Sequence, residues 1–294
     1  MAQVMIKIYL KKSSAYYMLA KPGIVYGNLI TVAAGFFLAS RGHIDFRLFL
    51  ATLLGTSLVI ASSCVVNNYF DRDIDGLMAR TKNRALAKNL ISERAAIIYA
   101  AFLFTCGLGV LAIYTNLLTI AVGLIGVFFY LVMYSVVKRW SIYGTIVGAI
   151  SGAMPPVGGY TAVVNRLDMG AVLLFLILFF WQMPHFYAIA IYRAGDYRDA
   201  GLSVLPQVSG IKTANLHMLF FIVAFIVTTV ALTLFGFTGY MYLVIAVLLG
   251  FVWLFLCIKG FSTDKYNLWA RKMFRYSLVL ITILCIMISV DTVR

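Results

Sequence analysis

Nine apolar runs dominate this chain, over 23–40, 48–69, 95–114, 117–137, 142–162, 170–191, 214–235, 240–258 and 274–290. A helix needs about 20 apolar residues to cross the hydrocarbon core of a bilayer. Lipid offers the backbone no hydrogen bonds, and a helix satisfies its own within one segment. The runs lack the alternation that membrane barrel strands carry. The expected fold class is therefore all-α, a polytopic membrane protein with nine transmembrane helices. The first run is too late and too poorly flanked for a cleaved signal peptide. Hydrophobic residues reach 63 % and charged residues only 12 %, against about 25 % charged in an ordinary soluble domain. Lipid has to cover what a water-soluble core could not.

The net charge of +14 suggests nucleic acid until its placement is examined. With an N-terminus in the cytosol, twenty of the 24 Lys and Arg fall on the cytosolic side. They include Lys7, Lys11, Lys12 and Lys21 before the first run and Lys138 and Arg139 after the fourth; only Arg41, Arg47, Arg166 and Arg294 lie opposite. That bias predicts N-terminus in and C-terminus out, and it accounts for the basic charge with no nucleic-acid partner. Cys64, Cys106, Cys257 and Cys285 sit in apolar runs without paired spacing and read as small buried hydrophobes. There is no CxxCH, and three histidines (His43, His185, His217) cannot make the paired imidazoles of an electron-transfer cytochrome.

Two connections on the cytosolic side, 70–94 and 192–213, are long and polar, and such loops usually carry function. No linker, repeat or soluble domain interrupts the chain, so residues 1–294 read as a single membrane-embedded domain. In the fifth run, Gly144, Gly148 and Gly152 at spacing four predict close helix packing. The Pro155-Pro156 pair that follows predicts a bend or break.

The second run closes on Asn67-Asn68-Tyr69-Phe70-Asp71-Arg72-Asp73-Ile74-Asp75. On a continuing helix Asn67, Asp71 and Asp75 share one face, a turn apart, with Asp73 turned away. Carboxylates about 6 Å apart repel unless a cation intervenes. Magnesium suits them, because it takes carboxylate oxygens and completes its shell with water and substrate phosphate. Arg80 and Arg84, with Lys82 between, supply cations suited to a phosphate. In the second loop Asp196 and Asp199 are further metal candidates, flanked by Tyr192. The fourth run ends with Tyr134 and Lys138 on one helical face, in reach of the same anion, and the sixth with Trp181-Gln182-Met183-Pro184-His185. An intramembrane His beside a proline is a candidate substrate contact.

These residues resemble the intramembrane prenyltransferases of the UbiA superfamily, whose first motif is an Asn followed by Asp at +4 and +8. NNYFDRDIDGLMARTKNRAL, KPGIVYGNLIT at 21–31, WQMPHF at 181–186 and DYRDAGLSVLP at 196–206 are similar to the branch that farnesylates haem. The resemblance implies nine helices around a central cavity, with acidic motifs capping its cytosolic mouth in a bacterial inner membrane. It implies farnesyl diphosphate and haem B as substrates, with Mg²⁺ as cofactor. The implied product is haem O, which would be open to handover to a haem A synthase or a terminal oxidase. By that resemblance Asp71, Asp75, Asp196, Lys138 and Tyr134 would carry the catalytic roles, and Asp71, Asp75, Asp196 and Asp199 would hold the metal. Asn67, Asn68, Arg80, Lys82, Arg84, His185 and Tyr192 would bind substrate. The family's second motif pairs Asp residues four apart, and here Tyr192 and Ala200 stand four from Asp196.

Three other readings fit less well. A quinone-type aromatic acceptor would use the same first motif. Asp75-Gly76-Leu77-Met78-Ala79-Arg80 matches the opening of the CDP-alcohol phosphotransferase motif, but no GxxxD follows. A secondary transporter would place its polar groups near the midplane within inverted repeats, whereas these cluster at one face.

Overall fold

The computed structural model describes residues 13–293; Lys7, Lys11, Lys12 and Arg294, counted in the charge bias, lie outside them. Among the described residues, nine long helices succeed one another. They are α1 (Pro22–Ser40), α2 (Phe46–Phe70), α3 (Glu93–Tyr114), α4 (Leu117–Trp140), α5 (Gly144–Val164), α6 (Met169–Tyr192), α7 (Ile211–Leu234), α8 (Tyr240–Ile258) and α9 (Tyr266–Val290). The all-α expectation holds. Eight of the nine are long and apolar enough to cross a membrane. The exception is α5, whose hydropathy is diluted by its glycines and by Pro155 and Pro156. It nevertheless runs without interruption through both prolines, so of the expected bend or break the break does not occur.

Polar residues start the helices. Asp45 accepts from the backbone of Arg47 and Leu48, Ser92 from Ala95, Asn116 from Thr119, and Asp168 from Gly170. Each satisfies N–H groups that the first helical turn leaves unpaired. α1 starts differently, with Lys21 in the left-handed conformation at φ 52° and Pro22 at the first helical position.

Outward faces carry apolar side chains at helical spacing, such as Ile98, Phe102 and Ile113 on α3 and Val244, Leu248, Phe251 and Phe255 on α8. Such stripes suit lipid. This is a multi-pass membrane protein. Inside, α1 packs against α2, α5 and α9, and α6 against α5, α7 and α9. The main core holds Phe225, Tyr242, Trp253 and Met273. A smaller cluster ties Val65 and Leu103 to Leu86 and Ile91 of the loop after α2, which pins that loop in place.

Candidate active site

The polar face at the end of α2 stays helical although the helix formally stops at Phe70. Asp71 N–H bonds the Asn67 carbonyl at 3.0 Å and Asp75 N–H bonds the Asp71 carbonyl at 2.8 Å. A single turn, Arg72–Asp75, completes the face. Asn67, Asp71 and Asp75 therefore share one side, as their spacing predicts, and all three are buried.

Each is held by a cation or a phenol from elsewhere. Lys138 Nζ lies 2.6 Å from both Asp71 oxygens, and Arg84 Nη1 lies 2.8 and 2.7 Å from those of Asp75. Asn67 Oδ1 accepts from Lys21 Nζ at 2.6 Å and from Tyr130 Oη at 3.1 Å. Its amide nitrogen is buried with no hydrogen-bond partner, a donor left for a ligand. Asp73 points away, as expected, and pairs with Arg139 at 2.7 and 2.9 Å. Those hydrogen bonds pull its carboxyl down to about 2.

The positions of Tyr130, Tyr134 and Lys138 depend on a π-helical turn, Phe129–Tyr134, inside α4. The wider turn inserts a residue into the helical register. The two tyrosine rings stack 5.9 Å apart, and Lys138 Nζ lies 4.8 Å from the Tyr134 ring centre. The glycine ladder of α5 seats this group. A Cβ on Gly144 would come 2.7 Å from Lys138 Cα, and one on Gly148 would come 3.1 Å from Tyr134 Cδ2. The next rung, Gly152, faces the Gln182 amide on α6.

Below these groups lies a cavity of about 590 Å³. Asn67, Asp71, Asp75, Arg80, Arg84, Tyr134, Lys138 and His185 all line it. Eight of the expected site residues thus converge. Five do not line it. Asn68 turns its amide to the Leu19 carbonyl. Lys82 and Asp199 are exposed. Tyr192 packs on Phe274 beneath Arg193 and Arg271. Asp196 lies 3.6 Å from Arg193, and its Oδ2 is buried without a hydrogen bond. Among the described residues no three acidic, histidine or cysteine side chains gather into a ready-made metal cluster.

Three lining residues that face the charged mouth, Lys21, Tyr130 and Tyr197, were not among the expected site residues. Lys21 looked like a membrane-flanking charge; burial against protein, with Arg84 nearby, lowers it to about 8. Tyr130 gave no signal, because a π turn has no simple sequence signature. Tyr197, next to Asp196 on the short helix Ala194–Asp199, takes the cavity-facing place expected of the acid. Burial pushes its phenol up to about 12, so it meets a ligand as a neutral donor.

The chain resembles proteins of known kind along most of its length. A protoheme IX farnesyltransferase of Photorhabdus laumondii is 49 % identical over 277 residues, 94 % of each chain. Namesakes from Yersinia pseudotuberculosis and Yersinia enterocolitica are 50 % identical over the same shares. A digeranylgeranylglyceryl phosphate synthase structure superposes with a TM-score of 0.79 at 18 % identity, covering 96 % of this chain and 98 % of that one. A UbiA homologue from Archaeoglobus fulgidus bound to GPP and Mg²⁺ gives 0.73 at 17 % identity, covering 94 % and 99 %. The model of the UbiA prenyltransferase family matches residues 28–279. With its buried Asn-Asp-Asp face set over a cavity between membrane helices, the chain belongs to the UbiA prenyltransferase family.

Proposed function

We propose that this protein transfers the farnesyl group of farnesyl diphosphate to a vinyl group of haem B, giving haem O. The observation that carries the proposal is the join between a charged mouth and an apolar hollow within one cavity. A diphosphate fits the first and a prenyl chain with a porphyrin the second. The acceptor is taken from relatives about 50 % identical over 94 % of both chains, named for protoheme IX. In this reading residues 1–294 act as one domain with nine spans, N-terminus in and C-terminus out. The mouth faces the cytosol of a bacterial inner membrane, and the product passes to a haem A synthase or a terminal oxidase.

The residues fit Mg²⁺. Asp71 and Asp75 offer hard carboxylate oxygens at the cavity wall, and the unpartnered Asn67 amide nitrogen beside them is a donor for a phosphate oxygen. Bound there, the ion would neutralise charge on the departing diphosphate. Asp196, whose Oδ2 is buried without a hydrogen bond beside Arg193, and Asp199 are kept as metal candidates that substrate-induced closure of the 192–213 loop would recruit.

Around the diphosphate, Arg80, Arg84, Lys138 and Lys21 supply positive charge, and Tyr134 and Asn67 order the mouth; Lys82, Tyr192 and Asn68 lie off the cavity wall and would act on the substrate only if that rim moved inward. These groups stabilise negative charge as the C1–O bond breaks and its electron pair leaves with diphosphate. The allylic C1 then takes the vinyl electrons to form a C–C bond. Water adds to the resulting cation beside the porphyrin and loses a proton, leaving a hydroxyethylfarnesyl group. The apolar helices keep water from the first cation.

In membranes supplied with haem B and farnesyl diphosphate, EDTA is expected to stop haem O formation and excess Mg²⁺ to restore it, as read by mass spectrometry of extracted haems. Product that survives chelation removes the metal, and a prenylated quinone in place of haem O moves the acceptor. A pH profile tests the mouth. Lys21, lowered to about 8, is charged below that value and loses its proton above it, so kcat/KM for the diphosphate should fall on the alkaline side near 8. Lys21→Arg, always charged, should flatten that limb. An unchanged limb in the variant assigns the titration elsewhere.

A further inference from the structure

Gln182 lies on α6, is 5 % exposed and lines the cavity. Its amide is held at two points. Nε2 donates to the Leu178 carbonyl one turn back at 3.0 Å, and across to the Ala149 carbonyl on α5 at 3.2 Å. Both neighbours are acceptors, so only the NH2 end of the amide can face them, and both its hydrogens are spent. Oε1 is left with two lone pairs and no hydrogen bond among the described residues. It stands over Gly152 of α5, which also lines the cavity, and a Cβ on Gly152 would overlap it. Glycine at 152 keeps the space that this oxygen occupies.

The glycine ladder gives its depth. Gly144 abuts Lys138, Gly148 the Tyr134 ring and Gly152 the Gln182 amide, and each step of four residues descends about 6 Å. The oxygen is thus one turn deeper along α5 than the tyrosine, where the charged mouth gives way to the apolar hollow. An acceptor left bare in such a place costs desolvation free energy until a donor reaches it. The reactants narrow the choice of donor. Farnesyl diphosphate and the carboxylates of haem B offer oxygens that accept, and neither substrate carries an N–H or O–H on its hydrocarbon parts. Water is the reactant that can donate.

We infer that Gln182 Oε1 holds the water that hydrates the prenylated haem cation. The inference rests on the proposed reaction and adds to it the group that selects hydration over proton loss. When the vinyl electrons form the C–C bond to C1, the positive charge is left on the vinyl carbon next to the ring. That cation has two exits. It takes a lone pair from water, or it sheds a proton from the new methylene and becomes an alkene. A water that donates one hydrogen to Oε1 keeps a lone pair free for the cation. As the C–O bond forms, positive charge moves onto the water oxygen, and its hydrogen bond to Oε1 strengthens with that charge. The amide is too weak a base to keep the proton, which passes to the diphosphate freed in the same turnover. Gln182 is therefore a positioning residue for the second nucleophile, and Gly152 is what lets its oxygen reach the cavity.

The test is the identity of the product. Purified full-length protein in detergent is supplied with haem B, farnesyl diphosphate and Mg²⁺, and the extracted haems are sorted by mass into the alcohol and the alkene lighter by one water. Wild type should give the alcohol. Gln182→Leu fills the same space without an acceptor, so it should still form the C–C bond but raise the alkene-to-alcohol ratio by about tenfold or more, as the loss of one hydrogen bond in the transition state predicts. Gln182→Glu keeps an oxygen there and should return the ratio toward wild type. Gly152→Ala displaces the oxygen while leaving Gln182 in the chain; it should shift the ratio the same way, and it serves as the test should Gln182→Leu fail to fold. Wild-type ratios in Gln182→Leu and Gly152→Ala overturn the inference. A Gln182→Leu protein that melts like wild type yet prenylates no haem also overturns it, because Gln182 would then act before the C–C bond. Prenylated haem from wild type alongside either of these results leaves the proposed reaction standing, whereas none from wild type sinks that reaction and the held water with it.

Discussion

Asp71→Ala is expected to lower haem O formation by about 10²–10³-fold or more, with the protein still inserted in the membrane. Asp71 is buried at the cavity wall, and both its oxygens are taken by Lys138 at 2.6 Å. Removing the carboxylate strips the mouth of one of its two cavity-facing acids. It also leaves the Lys138 ammonium without a partner, and breaking a buried pair costs about 3–5 kcal/mol. Asp71→Asn separates these effects, because it keeps the shape while discarding the charge. Asp73→Ala is the matched comparison two residues away. Its carboxylate is 58 % exposed and pairs with Arg139 outside the cavity, where an ion pair contributes about 0–1 kcal/mol. That variant should make near-normal product. Mass spectrometry of haems from membranes holding equal amounts of each protein decides the matter. If the two alanine variants yield similar product, the face Asn67-Asp71-Asp75 is not the site.

That face was readable because helical spacing is a local property. The backbone bonds from Asp71 to Asn67 and from Asp75 to Asp71 carry the periodicity past the end of α2, so i, i+4, i+8 remained a valid guide. Lys138 was reachable from sequence only through its shared helical face with Tyr134; its contact with Asp71 spans 67 residues and depends on how α2 and α4 pack. Tyr130 lay beyond reach because the π turn Phe129–Tyr134 shifts the register that a 3.6-residue repeat assumes. The second loop misled for a different reason. Neighbours on a helix point about 100° apart, so the rotation of Ala194–Asp199 that brings Tyr197 into the cavity leaves Asp196 off its wall. No charge pattern reports such a rotation. In α5 the glycines were legible as a packing face, while the prolines suggested a bend or break and the continuous helix shows no break.

Gly35→Leu and Gly159→Leu should each destabilise the protein by more than the about 1–3 kcal/mol usual for overpacking, because the obstacle in both cases is backbone. Any Cβ on Gly35 would overlap the Pro156 carbonyl, and one on Gly159 would overlap that of Val32. α1 and α5 therefore meet main chain to main chain at two successive points, a contact that neither helix can relieve by moving a side chain. The effect should reach the site. α1 begins at Lys21, whose Nζ is 2.6 Å from Asn67 Oδ1, while α5 carries the glycines that seat Lys138 and Tyr134. Separating the two helices withdraws Lys21 from Asn67, so the surviving folded fraction should also lose kcat/KM for the diphosphate. Gly109→Leu is the control, since nothing lies within 4 Å of a Cβ there, and a change at an open site is usually within about 0.5 kcal/mol. Thermal unfolding in detergent, with activity measured on the folded fraction, reads both effects. If Gly35→Leu and Gly109→Leu melt together, the close approach of α1 to α5 does not hold the mouth in shape, and the alignment of Lys21 with Asn67 must come from α2 alone.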